Sequence, residues 1–244
     1  MNDYIKYALD NLRHRKLRSW LTMIGIFIGI ASIVALIGLG EGLRETVNSQ
    51  FGFLGTNLIT VLATGGIGPP GTGVTDPLSD KELKSIQNIQ GVEGATGRLF
   101  ESGKLTFNRQ VGFGIAISIS DGEGREIAES SINMEAEKGR LLEDGDSGVV
   151  FLGHTFSEED NGFGKPILPG SKVMIQDEEF KVIGIMEKKG NFQVDSMVLM
   201  NEQDLRDLMD RQGDDYDQII AEISPNTDIE KVQLEIEKRL RNKL

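Results

Sequence analysis

The 244-residue sequence predicts an α+β protein carried on one long N-terminal transmembrane helix, with an α+β lobe and an inserted β-rich lobe beyond it. Three observations predict this. Twenty uncharged residues run together near the amino end. Strand–helix–strand patterns then flank the remainder of the chain at both ends. Between them lie short strand patterns separated by glycine and acidic turns.

The uncharged run is Trp20 to Leu39, WLTMIGIFIGIASIVALIGL. At ~1.5 Å rise per residue it spans about 30 Å, the thickness of a bilayer's hydrocarbon core. A buried helix of a soluble protein is rarely apolar on every face for that length. A cleaved signal peptide has an apolar region of only ~7–15 residues, followed by a small-residue cleavage site. Here Gly40-Glu41-Gly42-Leu43-Arg44-Glu45 follows instead, which predicts a retained span and a projecting stalk over residues 19–55. Leu43, Val47, Phe51 and Leu54 extend its apolar stripe. Residues 1–18 read as an amphipathic helix at the membrane surface, with Tyr4, Ala8, Leu9, Leu12 and Leu17 at helical spacing between basic residues. Lys6, Arg13, Arg15, Lys16 and Arg18 precede the span, and only Arg44 lies close behind it. The positive-inside rule therefore predicts a cell-membrane protein with a cytoplasmic amino terminus and an extracytoplasmic main domain. Inside the span, Gly25 and Gly29 form G-x-x-x-G with Ser32 near the same face, a candidate packing site for another helix.

Beyond the stalk, Asn57 to Leu62 is a strand by its β-branched content. Ser79 to Glu82 forms a capping box, and Leu83, Ile86 and Ile89 supply the buried face of a short helix. Gly91 ends that helix, and Val92 to Phe100 returns as a strand. Near the carboxyl end, Ser196 to Met200 is a strand, and Asn201 caps a helix that carries Leu205, Leu208 and Met209 inward. Asp217 to Ile223 is again a strand, and Thr227 to Glu230 is a second capping box, opening a helix with Ile229, Val232, Ile236 and Leu240 on one face. These two patterns assign residues 56–100 and 196–244 to one α+β lobe. Residues 101–195 form the inserted β-rich lobe, with strands over Lys104–Phe107, Gly112–Ser120, Val149–Leu152, Lys172–Ile175 and Phe180–Met186. The polar stretch Gly122 to Glu137 is a short helix or a mobile excursion.

Charge and residue inventory exclude several function classes. Of a net charge of −12, the first 55 residues hold six Lys/Arg against four Asp/Glu, leaving 20 against 34 in the rest. So acidic a body repels phosphates and argues against a nucleic-acid partner. There is no cysteine, hence no disulfide, thiolate nucleophile or cysteine zinc site. Gly68, Gly73 and Thr75 fall in register with a phosphate-binding loop, but Val74 stands where its lysine belongs, and the stretch reads as a glycine-rich surface loop. His14 and His154 lie on opposite sides of the span and cannot share a site. The run Glu143 to Gly148 fails the spacing of a calcium loop. Like Glu158–Asp160 and Asp214–Asp217, it reads as solvated surface charge. Asp195 with Glu187 is an acid pair only if the fold brings the two together. No serine or threonine sits in a nucleophile elbow. The inventory predicts no catalytic, cofactor-binding or metal-ligating residue.

The order of small motifs carries a family resemblance. The basic start Asn11 to Ser19 runs into Leu21-Thr-x-x-Gly25-Ile-x-Ile-Gly29 and then Gly38-Leu-Gly-Glu-Gly42. Asn57-Leu-Ile-Thr-Val, Leu78-Ser-Asp80 and Ile89-x-Gly-Val92 follow, and later Gly139-Arg140, Val149-Val-x-Leu-Gly153, Phe180-x-Val-x-Gly184 and Asp195-Ser-x-Val198. Over essentially its entire length the chain resembles the opening of MacB/FtsX-type ABC transporter permeases. The resemblance implies a MacB-like periplasmic core domain with a porter-like α+β lobe. It also implies a separate ABC ATPase subunit in the cytoplasm, a second permease copy or related subunit, and mechanical transmission with no tunnel through the bilayer. Family permeases carry three further membrane helices, so the resemblance implies a piece of a longer chain. A single-span anchored module that binds a ligand or protein is the alternative. An extracytoplasmic hydrolase has only His154 as a candidate base.

Overall fold

A computed structural model describes residues 20–43, 57–65 and 74–240. The amphipathic helix expected over residues 1–18 with Arg13, Arg15, Lys16 and Arg18, the stalk expected beyond Leu43, and the surface loop expected at Gly68–Gly73 lie outside the described residues. The chain divides into two units, Met1–Phe51 and Gly52–Leu244, each described by itself.

The described part of the first unit is helix α1, Trp20–Leu43. Its side chains are exposed on every face, with Trp20, Phe27 and Leu39 each about two-thirds exposed or more. A helix of this length with no buried face is long and apolar enough to cross a membrane.

In the second unit the strands before the central turn region are β1 (Leu58–Leu62), β2 (Thr64–Gly65), β3 (Val74–Asp76), β4 (Leu78–Ser79), β5 (Val92–Arg98), β6 (Phe100–Phe107) and β7 (Gln110–Ile119). Those after it are β8 (Ala136–Gly139), β9 (Val149–Leu152), β10 (Lys172–Ile175), β11 (Glu178–Met186), β12 (Met197–Asn201), β13 (Asp215–Tyr216) and β14 (Gln218–Ile223). The helices are α2 (Asp80–Gln87), α3 (Glu123–Ser131), α4 (Phe192–Asp195), α5 (Glu202–Leu208) and α6 (Ile229–Arg239). Both classes of element mix in one unit, as the α+β reading requires.

Strands β1, β14 and β5 form a three-stranded antiparallel sheet in that order. Strand alternation puts Val61, Ala95, Ile219, Ala221 and Ile223 on one face, where Leu83 and Ile86 of α2 and Val232 and Ile236 of α6 bury them. The cap of α2 is the predicted box: the Ser79 backbone N–H donates to Glu82 Oε2 at 2.8 Å, and the Ser79 hydroxyl bonds the same carboxylate. The cap of α6 differs from expectation by one residue. Asp228, not Thr227, is the N-cap, accepting from the Glu230 N–H at 3.2 Å. An ionised carboxylate also favours the positive end of the helix dipole, which a threonine cannot match.

The remaining long strands close on themselves. The order β10–β6–β7–β12–β9–β11 returns to β10 through a β10–β11 pairing, and β8 adds to the outside of β11. Closure leaves a six-stranded barrel whose pairs are antiparallel except β7–β12 and β9–β11. Alternate residues fill its interior, among them Leu105, Val150, Leu152, Val173, Val182, Val198 and Met200. Phe156, Phe163 and Ile167 join that core. Outside the barrel, Ile117, Ile119, Phe151 and Leu199 form a second layer with Ala128 of α3. The stretch from Gly122 is therefore a helix, with Ile127, Ala128 and Ser131 buried.

One boundary is corrected. Strand β12, expected with the α+β lobe of residues 196–244, joins the barrel: Met197–Asn201 pairs with Ile115–Ile119, and Val198 and Leu199 pair with β9. Its run MVLMN is apolar on both faces, the pattern of a strand with the barrel core on one side and a helix-covered layer on the other. Periodicity identifies such a strand but does not say which sheet receives it.

Candidate functional site: helix face and sheet–barrel junction

On α1, Gly25 and Gly29 leave open space where side chains would stand. Ser32 lies further along, its hydroxyl donating back to the Ile28 carbonyl at 2.7 Å. That bond satisfies the hydroxyl within its own helix and leaves the small-residue face free of polar demand. Trp20 and Leu39, the predicted limits of the span, are both exposed on it, and the helix continues past Leu39 to Leu43.

The polar candidates of the second unit are held in local bonds. Asp195 is buried, and its two carboxylate oxygens accept the Lys189 and Gly190 N–H groups at 2.8 and 2.9 Å. Glu187 instead lies 3.3 Å from the Lys189 ammonium, so each of the two carboxylates has its own partner. His154 Nδ1 is 2.8 Å from Glu137 Oε2 without hydrogen-bond alignment, and Nε2 is 3.7 Å from Glu158 Oε1. Glu158 is paired with Lys188 at 2.9 Å, and the hydrogen bond from that ammonium holds its carboxyl below the usual range. Among the described residues the ring nitrogens of His154 face the Glu137 and Glu158 carboxylates, and the nearby Ser157 hydroxyl donates to the His154 backbone carbonyl at 3.0 Å, not to the imidazole as in a triad. In the run Glu143–Gly148, Asp146 takes a two-bond fork from Arg140 at 2.6 and 2.8 Å, and Asp144 pairs with Arg125 at 3.1 Å. Among the described residues no cluster of three or more His, Asp or Glu side chains is placed to hold a metal.

Asp217 departs from expectation. Read as surface charge, it is 4 % exposed and sits where the sheet meets the barrel. Strand β5 passes into β6 through Leu99, and the chain returns to the sheet through Tyr216 and Asp217 into β14. These two crossings lie side by side. The Asp217 N–H donates to the Arg98 carbonyl at 2.9 Å, and Asp217 Oδ2 accepts the Phe100 N–H at 2.9 Å. Asp217 Oδ1 accepts from Arg211 Nη1 at 2.8 Å.

A charged network extends from this point into the barrel. Arg211 also bonds Asp215 Oδ2 at 2.9 Å. Arg206 donates to the Gly213 and Asp215 carbonyls at 2.7 and 3.1 Å and pairs with Glu202. Glu202 in turn accepts from Ser120 Oγ at 2.7 Å, just past the end of β7. Burial penalises the charge on Arg211, but its bonds to Asp215 and Asp217 outweigh that cost and raise its pKa. The Tyr216 ring packs against both the sheet core and the barrel core, with the Arg206 guanidinium 5.2 Å from its centre. It fits because residue 97 is glycine: any Cβ there would collide with the ring.

Arg98 is the other buried charge at the junction. Its Nη2 donates to the Ala128 carbonyl and Ser131 Oγ of α3, each at 2.8 Å, while its buried Nε has no partner. No carboxylate pairs with it among the described residues, and burial pushes its pKa down to about 10. Sequence reasoning missed both Arg98 and Asp217. The available signal was a charge interrupting or opening an apolar strand, at VEGATGRLF and DYDQII.

Comparison with known proteins follows the same outline. A family model described as the MacB-like periplasmic core domain matches residues 19–239. The chain is 30 % identical over 241 residues to an uncharacterized ABC transporter permease of Methanocaldococcus jannaschii, covering 99 % of this chain and 59 % of that one. It is 28 % identical over 235 residues to a macrolide export ATP-binding/permease protein MacB of Campylobacter fetus, covering 89 % of this chain and 35 % of the relative. The chain thus spans less than two thirds of the length of either. Among solved structures, the periplasmic region of MacB from Actinobacillus actinomycetemcomitans superposes with a TM-score of 0.57 at 16 % identity, covering 78 % of this chain and 85 % of that one. The extracellular domain of the noncanonic ABC-type transporter YknZ gives 0.57 at 14 % identity, covering 76 % and 94 %. At such identities the likeness is one of fold.

Proposed function

Because the chain belongs to the MacB-like periplasmic core domain family, we propose that it is the N-terminal portion of an ABC transporter permease subunit that converts the work of a separate cytoplasmic ATPase into motion beyond the membrane. Its task on that reading is substrate export, or lipoprotein or peptide handling, by mechanical transmission. One observation carries the reading: a helix apolar on every face leads into a unit whose fold is that of MacB periplasmic regions. The basic residues before the span and the acidic body after it favour a cytoplasmic amino end and an extracytoplasmic head. The open Gly25/Gly29 face supports close approach of a second permease copy or a related subunit. The local pairing of Asp195, Glu158 and Asp146 supports a non-catalytic head. A head of this kind moves or binds, and the bond-breaking belongs to the ATPase.

The test is made on membranes of the source cell. A tagged full-length protein solubilised in mild detergent is expected to bring down an ABC ATPase, and failure to do so with intact protein would sink the assignment. In sealed right-side-out vesicles an external protease should remove the head and spare the amino end. Replacement of Gly25 and Gly29 by leucine should weaken permease–permease association. If it leaves association unchanged, the packing face lies elsewhere on α1.

A further inference from the structure

Two cores meet in the second unit, and the covalent chain passes between them at only two adjacent places, Arg98–Phe100 and Tyr216–Gln218. Short adjacent crossings of this kind define an axis about which one body can turn on the other. The backbone bond from Asp217 to Arg98 lies at the crossings themselves. Beside them α3 packs on β5 and takes two bonds from Arg98, so the turn is resisted on that side by α3 and on the other by the contacts of Asp217. We propose that the junction is a latched hinge, in which Arg211 and Asp217 form the latch that fixes the three-stranded sheet and the barrel as one rigid arm.

Four observations support it. Asp217 reaches across the axis, one oxygen on the Phe100 N–H of the outgoing crossing and the other on Arg211. Arg211 is not free to follow: its own N–H donates to the Arg206 carbonyl, and Arg206 is tied through Glu202 to Ser120 beside the barrel. Through that chain Asp217, which opens a strand of the sheet, is tied to the end of β7, where Ser120 Oγ also reaches the Gly97 carbonyl at 3.4 Å. Tyr216, one residue before it, packs on both cores, so rotation at the junction would drag its ring across Gly97. Finally, the small β4–β13 pairing and the Asp80-to-Asp214 bond at 2.9 Å brace the same segment from the sheet side. A charge-assisted bond buried between two bodies is the kind of contact that breaks as a unit, giving two states in place of a continuum.

The chain contains no cysteine, so paired spin labels can be placed cleanly. Thr60→Cys on the exposed side of β1 and Lys172→Cys on β10 report the distance between sheet and barrel in the detergent-solubilised protein. The parent should give one narrow distance. Arg211→Gln and Asp217→Asn should each broaden or split it, and the double variant should go no further than either alone. Exchange of the Phe100 amide should rise by about tenfold or more in each, the loss expected of one charge-assisted bond. Should Asp217→Asn fail to fold, Arg211→Gln supplies the reading, since Arg211 lies at the rim at 17 % side-chain exposure. A distance as narrow as the parent's in Arg211→Gln, whether or not the Phe100 amide is released, overturns the proposal. No ATPase enters this measurement, so it is independent of the permease reading.

Discussion

Arg98 illustrates how one side chain can hold a fold at a cost. Its guanidinium is buried with no carboxylate partner among the described residues, and burial lowers its pKa to about 10. A cation whose folded pKa is below its unfolded value subtracts stability at neutral pH, and that penalty fades as the pH rises through the folded value. Its two bonds to α3 repay part of it, yet Ser131 Oγ also donates to the Ala128 carbonyl and would stay paired without Arg98. Arg98→Met is therefore expected to leave stability unchanged or raise it by about 1–4 kcal/mol in urea unfolding. The difference from the parent should shrink between about pH 9 and 11, and a difference independent of pH would show that the charge is not its cause. Gly139 makes the opposite case. It has φ +79° and lies against the Ile183 carbonyl, so Gly139→Ala should cost more than about 1 kcal/mol, read by the same titration. The Gly139-Arg140 motif, legible only as part of a resemblance, thus has a packing reason: β8 meets β11 there at backbone distance.

At the scale of the element, the caps offer the cleanest measurement. Asp228→Ala should lower stability by about 1 kcal/mol, whereas Thr227→Ser should stay within about 0.5 kcal/mol. Equal losses at the two positions would return the cap to Thr227. Strands and helices were largely legible because each has its own signal: Val149–Leu152 and Lys172–Ile175 are observed with the predicted ends, and the Ser79 box opens α2 where expected. What periodicity could not supply was partnership. Strand β12 reads as a strand from any vantage, but only its pairing with β7 and β9 places it in the barrel. Asp217 reads as the end of an acidic run, and nothing in DDYDQ says that the last carboxylate turns inward onto Arg211. Helix α3 was ambiguous for a related reason. Its polar face dominates the sequence, while the few residues that hold it, Ile127, Ala128 and Ser131, are spaced over little more than a turn.

For the whole molecule, α1 sets the environment. Its unburied apolar faces predict that the protein stays with membranes through alkaline carbonate extraction, and release into the supernatant would refute a spanning helix. The second unit has a simpler plan than the fourteen strands among its described residues suggest. Arg98 and Gln218 face each other as direct partners in the ladder between β5 and β14. Everything from residue 99 to residue 217, barrel included, is therefore the tip of a single β-hairpin, grown to the size of a domain. The tip also folds back on its stem, since α3 lies on β5 and holds the Arg98 guanidinium, so a change in the tip at α3 reaches the rungs below it.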